Sequence, residues 1–243
     1  MKIHVYTLCW NEEVILPYFL KHYETITEKI IVYDNESTDN SLNILRAHPK
    51  VEIRIYDSNN QIRDDLYLGI KNNCWKEARD KADWVIVVDA DEFIYHVDLY
   101  GFLEDHLLQG ITLFKPKGYL MVSEKLPTTK GMIYEEIKTG IPQEASSKPV
   151  IFNPNKIEEI NFSAGAHSCN PTGEVNLYES SGNLKLLHYK VLSLDYLLTR
   201  SRQCKERLSD INKQNNWGKH YTVDEQIKTQ KFFERLKEAT III

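Results

Sequence analysis

Trp84-Val85-Ile86-Val87-Val88-Asp89-Ala90-Asp91-Glu92-Phe93 decides the fold of this 243-residue chain. Five apolar residues without a polar break read as a strand covered on both faces, the pattern of a parallel sheet flanked by helices. Three carboxylates then arrive within four residues. At the end of a strand so deeply placed, their repulsion and desolvation are costly, and a divalent cation removes the conflict. Extended geometry here predicts Asp89 and Asp91 on one side, with the small Ala90 between them letting a ligand approach.

Upstream, strand-like stretches at 2–8, 29–33 and 51–56 alternate with helical spacing at 17–23, after Ser41, and from about 61 to 79. Pro17 suits a first helical turn. The alternation predicts an α/β fold with a mostly parallel central sheet and right-handed crossovers. Beyond residue 110, Pro116, Gly118, Pro127, Gly131, Gly140 and Pro142 break the chain into short pieces, which predicts a mixed sheet with long loops. A strand-like run at 184–187 precedes His188. Two helices, at 193–212 and 223–239, close the chain; the second carries Ile227, Phe233, Leu236 and Ala239 or Thr240 on one stripe, read as core or a docking face.

Composition narrows the function classes. Hydrophobic residues make up 42% and charged residues 27%, with Gly 10 and Pro 8, which excludes disordered and collagen-like chains. A formal net charge of −5 counts against a nucleic-acid binder, because phosphate neutralisation needs a basic surface. The longest apolar run falls far short of the roughly 20 residues that span a bilayer. Residues 1–7 lack the apolar core of a secretory signal, so the expected location is the cytoplasm, with peripheral contact at the inner membrane face if the acceptor is lipid-linked. Cys9, Cys74, Cys169 and Cys204 follow no zinc spacing and read as reduced thiols.

Open parallel sheets bind ligands outside the carboxyl ends of their strands. Those positions are polar in all four cases: Thr7 followed by Asn11-Glu12-Glu13, then Asp34-Asn35, Asp57-Ser58-Asn59, and Asp89-Ala90-Asp91-Glu92. The competing reading is that such residues merely cap helices and turns.

Val87-Val88-Asp89-Ala90-Asp91-Glu92-Phe93 also resembles the DxD element of GT-A glycosyltransferases. Cys9-Trp10-Asn11-Glu12-Glu13 with Ile31-Val32-Tyr33-Asp34-Asn35-Glu36-Ser37-Thr38-Asp39 resembles the N-terminal signature of glycosyltransferase family 2. The likeness covers roughly residues 3–95. Leu187-His188-Tyr189, with Ser193, Asp195-Tyr196 and Arg200, resembles the HY-x-x-x-S stretch of a family 2 subset with a shortened C-terminal region. His167, in Gly165-Ala166-His167-Ser168, resembles a histidine of that subset.

The resemblance implies a GT-A fold, with a Rossmann-like nucleotide-sugar-binding half at 1–109 and an acceptor-side half with C-terminal helices at 110–243, in one compact domain. It implies metal-dependent, inverting transfer of a sugar from a nucleotide-sugar donor, UDP-linked above others, to a hydroxyl of a glycan or glycolipid. Thr7, Asn11 and Glu12 would line the nucleotide pocket, Asp34 would accept from base or ribose, and Arg63 or Lys71 would approach base or diphosphate. Asp89 would touch ribose or sugar. Asp91 would hold Mn²⁺ or Mg²⁺, with His188 as a further metal ligand, and His167 would contact phosphate, donor sugar or acceptor. Such a cation stabilises the charge that develops on a departing diphosphate.

No Glu-Asp pair marks a catalytic base; Glu124, Glu135, Glu136 and Glu144 lie in the right broad stretch without a distinguishing neighbour. A catalytically silent binding module and a nucleotidyltransferase remain as alternatives. A phosphatase with Asp89 as nucleophile is disfavoured by the late position of the motif, by Phe93, and by the lack of a later Asp-Asp pair.

Overall fold

In the computed structural model, which describes residues 1–243, the first half builds β1 (Ile3–Cys9), α1 (Leu16–Glu24), β2 (Lys29–Asp34), α2 (Ser41–Arg46), β3 (Val51–Ile55), α3 (Asp64–Asn73) and β4 (Trp84–Val87). The four strands run parallel in the order β3-β2-β1-β4. Every residue of β4 is buried, as its unbroken apolar run requires. Cys9 stands level with Asp34, and Asp34 with Ile55, so the strands end on one rim.

The second half adds β5 (Glu92–Tyr95), α4 (Leu99–Leu108), β6 (Leu113–Lys115), β7 (Lys117–Val122), α5 (Ile133–Glu136), β8 (Thr139–Pro142), β9 (Ile151–Phe152), β10 (Ile157–Glu159), β11 (Thr172–Gly173), β12 (Leu177–Glu179), β13 (Lys185–Val191), α6 (Leu194–Glu206), α7 (Asp210–Gln214), α8 (Glu225–Glu238) and β14 (Thr240–Ile241). β9, β6 and β12 extend the first sheet beyond β4, and β9 runs antiparallel to both neighbours. A second, mixed sheet has the order β14-β8-β7-β13-β5. The chain passes from one sheet to the other at Asp89–Asp91, between β4 and β5.

That passage corrects the expected extended geometry. The Glu92 amide donates to the Asp89 carbonyl at 3.0 Å, which closes a turn in place of a straight strand. Asp89 and Asp91 therefore face different partners. Three further expectations shift. The helix expected at 61–79 is α3 followed by a 3-10 turn, Cys74–Ala78, that buries Trp75 and Ala78. The helix expected at 193–212 breaks before Ser209, whose side chain accepts from the Asn212 amide and starts α7. His188 lies inside β13, not after a strand.

On α8 the buried residue is Phe232, packed with Leu236 and Ala239 nearby, while Ile227 and Phe233 face solvent. Two consecutive phenylalanines leave the helical phase ambiguous by one residue, and the structure settles it. No helix is long and apolar enough to cross a membrane.

The core gathers on both sides of the β4–β5 passage. Trp84 packs on Phe114 with ring centroids 5.1 Å apart, and Phe93 sits 5.2 Å from Tyr189. The Tyr23 hydroxyl donates to the Glu92 carbonyl and accepts from the Ile94 amide, which pins β5 to α1. Trp84→Ala is expected to cost about 3–5 kcal/mol in urea denaturation, the usual penalty for emptying a large core site. Trp84→Phe should cost under half as much, because the buried indole N–H has no partner to lose. Equal losses in the two variants would contradict this.

Candidate functional site

At the exit of β4 the carboxylates are neutralised by the chain itself. Lys71 of α3 donates to Asp89 Oδ1 at 2.5 Å. Lys148 donates to Asp89 Oδ2 at 3.1 Å and lies 2.6 Å from Glu92 Oε1. The side chains of Lys148 and Glu92 are 3% and 1% exposed, so this is a buried ion pair. Burial opposes the charge on Asp89, but Lys148 and Lys71 outweigh it and hold the carboxyl well below its ordinary range. The expectation that only a divalent cation makes this cluster tolerable is corrected: Lys71 serves Asp89 rather than a base or diphosphate, and so does Lys148, which the sequence did not single out.

Asp91 is the exception. Its Oδ2 lies 3.1 Å from His188 Nε2 and meets neither lysine. Burial would raise its pKa, yet His188 brings it below the ordinary value. The Ser146 hydroxyl donates to Gln143 Oε1 at 2.6 Å and lies 3.4 Å from His188 Nδ1. The ionised Asp91 carboxylate only accepts, so His188 Nε2–H donates to it, while Nδ1 faces the Ser146 hydroxyl. A divalent cation in place of that proton would meet a carboxylate oxygen and a ring nitrogen. Their separation equals an edge of an octahedron with bonds of about 2.1 Å, roughly 3 Å. No point is ringed by three or more His, Cys, Asp or Glu side chains.

Burial pushes Glu12 up to about 8, with Arg200 opposing and Asp91, Asp39 and Asp89 adding to the rise. Arg200 donates to Glu12 Oε1 at 2.5 Å and to the Asn11 carbonyl at 3.0 Å. One helical face further, Arg207 stacks on Trp10, its guanidinium carbon 3.5 Å from the ring centroid, and donates to Asn35 Oδ1 at 2.6 Å. These two arginines seat the C-terminal helices on the rim. Their spacing of seven residues, two helical turns, was the available sequence signal.

The remaining expected residues sort by what holds them. Thr7 is 1% exposed and lies in β1, its hydroxyl on the Leu8 carbonyl. Asp34 is fully buried and both its oxygens accept from Ser37, which makes it a turn anchor. Asn11, at φ 51°, accepts from the Thr38 and Asp39 amides and ties the first rim loop to the second. Arg63 forks onto Asp65 at 2.8 and 2.6 Å. His167 lies on the other side of the cluster, its Nδ1 2.7 Å from the Ala145 carbonyl. Glu135 and Glu136 accept from amides of their own loop, and Glu144 pairs with Lys115. None of these three reaches toward Asp91.

A cleft of about 510 Å³ between α3 and the β2–β3 face, bordered by Tyr33, Arg54 and Glu77, lies away from this cluster.

No protein-family profile matches the chain. An uncharacterized glycosyltransferase of Rickettsia prowazekii (strain Madrid E), RP128, is 25% identical over 229 residues, covering 88% of this chain and 69% of that protein. Among solved structures, S. aureus TarS 1-349 is 16% identical with a TM-score of 0.47, covering 97% of this chain and 71% of its own. Glucosyl-3-phosphoglycerate synthase from Mycobacterium tuberculosis, crystallised with Mn²⁺, UDP and phosphoglyceric acid, is 20% identical with a TM-score of 0.33, covering 49% and 43%.

Lys148→Met should cost about 3–5 kcal/mol at pH 7, since it leaves Glu92 buried without its cation. The depressed Asp89 carboxyl contributes stability above about pH 4, its unfolded value, and loses it as the pH falls through the folded value. The deficit of the variant, measured by urea denaturation, should therefore shrink toward pH 3. An equal deficit at both pH values would contradict the clamp.

Proposed function

We propose that this chain is a glycosyltransferase of GT-A type that moves a sugar from a nucleoside diphosphate donor, UDP-linked in the first instance, to a hydroxyl of a glycan or glycolipid. The observation that carries the proposal is the Asp91–His188 pair, the one acidic position at the β4 exit left without a lysine. The similarity to the Rickettsia glycosyltransferase and the motif resemblance at residues 9–13, 31–39 and 87–93 support it.

Asp91 and His188 would hold Mn²⁺ or Mg²⁺, which when bound supplies Lewis-acid stabilisation to a departing diphosphate. The chain's own residues do the rest. Lys71 and Lys148 keep Asp89 ionised and fixed, so that it accepts from a donor hydroxyl without a change of rotamer. Asn11 and Asp34 shape the rim loops, and Arg200 holds Glu12 against the same rim. We assign the nucleotide-sugar half to 1–109 and the acceptor half to 110–243, where β13 brings His188. Displacement with inversion is the mechanism this arrangement would serve. The absence of a free carboxylate base near Asp91 favours one rival, a silent nucleotide-binding module. Slow release of UDP from a UDP-sugar by the wild-type protein separates the two.

In a thermal-shift experiment, Mn²⁺ plus UDP at about 100 Kd should stabilise the protein by about 2.7 kcal/mol, or about 5–10 °C for a chain of this size. EDTA should abolish the shift. Asp91→Asn should lose the Mn²⁺-dependent part while its ligand-free Tm stays within about 2 °C, since Asp91 carries no buried lysine. A full shift in Asp91→Asn would refute the assignment.

A further inference from the structure

His167 sits on a turn shaped to present it. Gly165 and Ala166, immediately before it, both adopt left-handed backbone, φ 73° and 55°. For alanine that conformation costs roughly 1–2 kcal/mol. It is held by the burial of Ala166 among apolar side chains and by the Ala166 amide donating to the Ser163 carbonyl at 2.8 Å. Strain maintained by packing marks a residue whose position matters.

The ring's two nitrogens are then distinguished. Nδ1 lies 2.7 Å from the Ala145 carbonyl, which only accepts, so Nδ1 carries the proton and Nε2 keeps its lone pair. Nε2 has no hydrogen-bond partner in the structure. The ring packs over Gly165 of the same turn, where a Cβ would stand 2.6 Å from Nε2, so only a residue without a side chain leaves it room. The Ala145 carbonyl belongs to the turn whose next residue, Ser146, meets His188 Nδ1. Gly118 admits that turn against β7, where a Cβ would strike the Ser146 carbonyl carbon at 2.1 Å. Two histidines thus hang from adjacent residues of one rigid turn, one toward Asp91 and the other with a free nitrogen.

We propose that His167 Nε2 is the proton acceptor for the incoming hydroxyl, filling the role for which no carboxylate is placed. This rests on the transferase function proposed above. The hydroxyl oxygen forms a bond to the anomeric carbon, and the bond from that carbon to the diphosphate oxygen breaks with its electron pair. The hydroxyl proton passes to Nε2, and the resulting imidazolium keeps Nδ1–H on the Ala145 carbonyl. Burial and the Lys148 ammonium hold the pKa of His167 below its ordinary value, against Glu92, Asp89 and the Ala145 carbonyl. His220, from the 3-10 turn Lys219–Thr222, is the remaining titratable neighbour. The imidazole is therefore neutral and able to accept at neutral pH.

The test is UDP release from UDP-GlcNAc and UDP-glucose with Mn²⁺, water serving as acceptor, in the full chain. His167→Gln should lower kcat at least about 10²-fold, the low end for general base catalysis, with the Kd for UDP within about threefold. The wild-type rate should fall on the acid side with a midpoint below 6.5, and that limb should vanish from the residual rate of the variant. Long-range ¹H–¹⁵N NMR of the free protein should place the neutral proton of His167 on Nδ1. A His167→Gln rate within tenfold of wild type, or a proton on Nε2, overturns the inference while leaving the transferase function standing. Wild-type protein that binds UDP yet releases none from either donor overturns the transferase function, and this inference with it.

Discussion

Two lysines buried against the end of β4 set the terms for everything around them. A strand driven into the core leads to Glu92, where water is scarce and an unpaired charge would cost several kcal/mol. Lys71 comes from α3 on one side, and Lys148 from the segment entering β9 on the other. The pairing does more than neutralise charge. It ties the parallel sheet to the mixed sheet at the point where the chain crosses between them, and it leaves Asp91 as the carboxylate there without a lysine.

The crossing turn explains why neighbouring acids have separate roles. With Glu92 N bonded to Asp89 O, Asp89 meets Lys71 and Lys148 while Asp91 meets His188 on β13. The crossing turn supplies Asp91, whose carbonyl accepts from the Tyr189 amide of β13, and β13 itself supplies His188. Arg200 and Arg207 complete the frame by clamping α6 and its C-terminal end onto Trp10, Asn11, Glu12 and Asn35, so the last third of the chain helps to build the rim of the first.

Much of this was legible in the sequence, and the rest was hidden for identifiable reasons. The apolar run at 84–88 fits little besides a buried strand, and the repeated strand–helix alternation implied parallel pairing and a polar rim. The family resemblance implied Asp91 and His188 as common ligands of a metal, and the geometry brings the two side chains together. The turn at Asp89–Asp91 was missed because two acids around an alanine read equally as strand or turn. Asp34 and Thr7 looked like ligand contacts because an acid or hydroxyl at a strand end carries the same signature whether it meets a ligand or, like Asp34, its own loop. Lys148 was invisible: it follows Ser147 and precedes Pro149 in an unremarkable stretch, and its value comes from tertiary placement against Asp89 and Glu92. On α8, adjacent Phe232 and Phe233 differ only in which one the fold turns inward.

The central claim is that Asp91 and His188 form an open edge for a cation that a nucleoside diphosphate completes. A crystal grown with Mn²⁺ and UDP examines it most directly through manganese anomalous scattering. The account places the anomalous peak within about 2.0–2.3 Å of an Asp91 carboxylate oxygen and of His188 Nε2, with diphosphate oxygens filling other positions. UDP bound with the peak elsewhere, or an Asp91–His188 contact left unchanged beneath bound UDP, would contradict it.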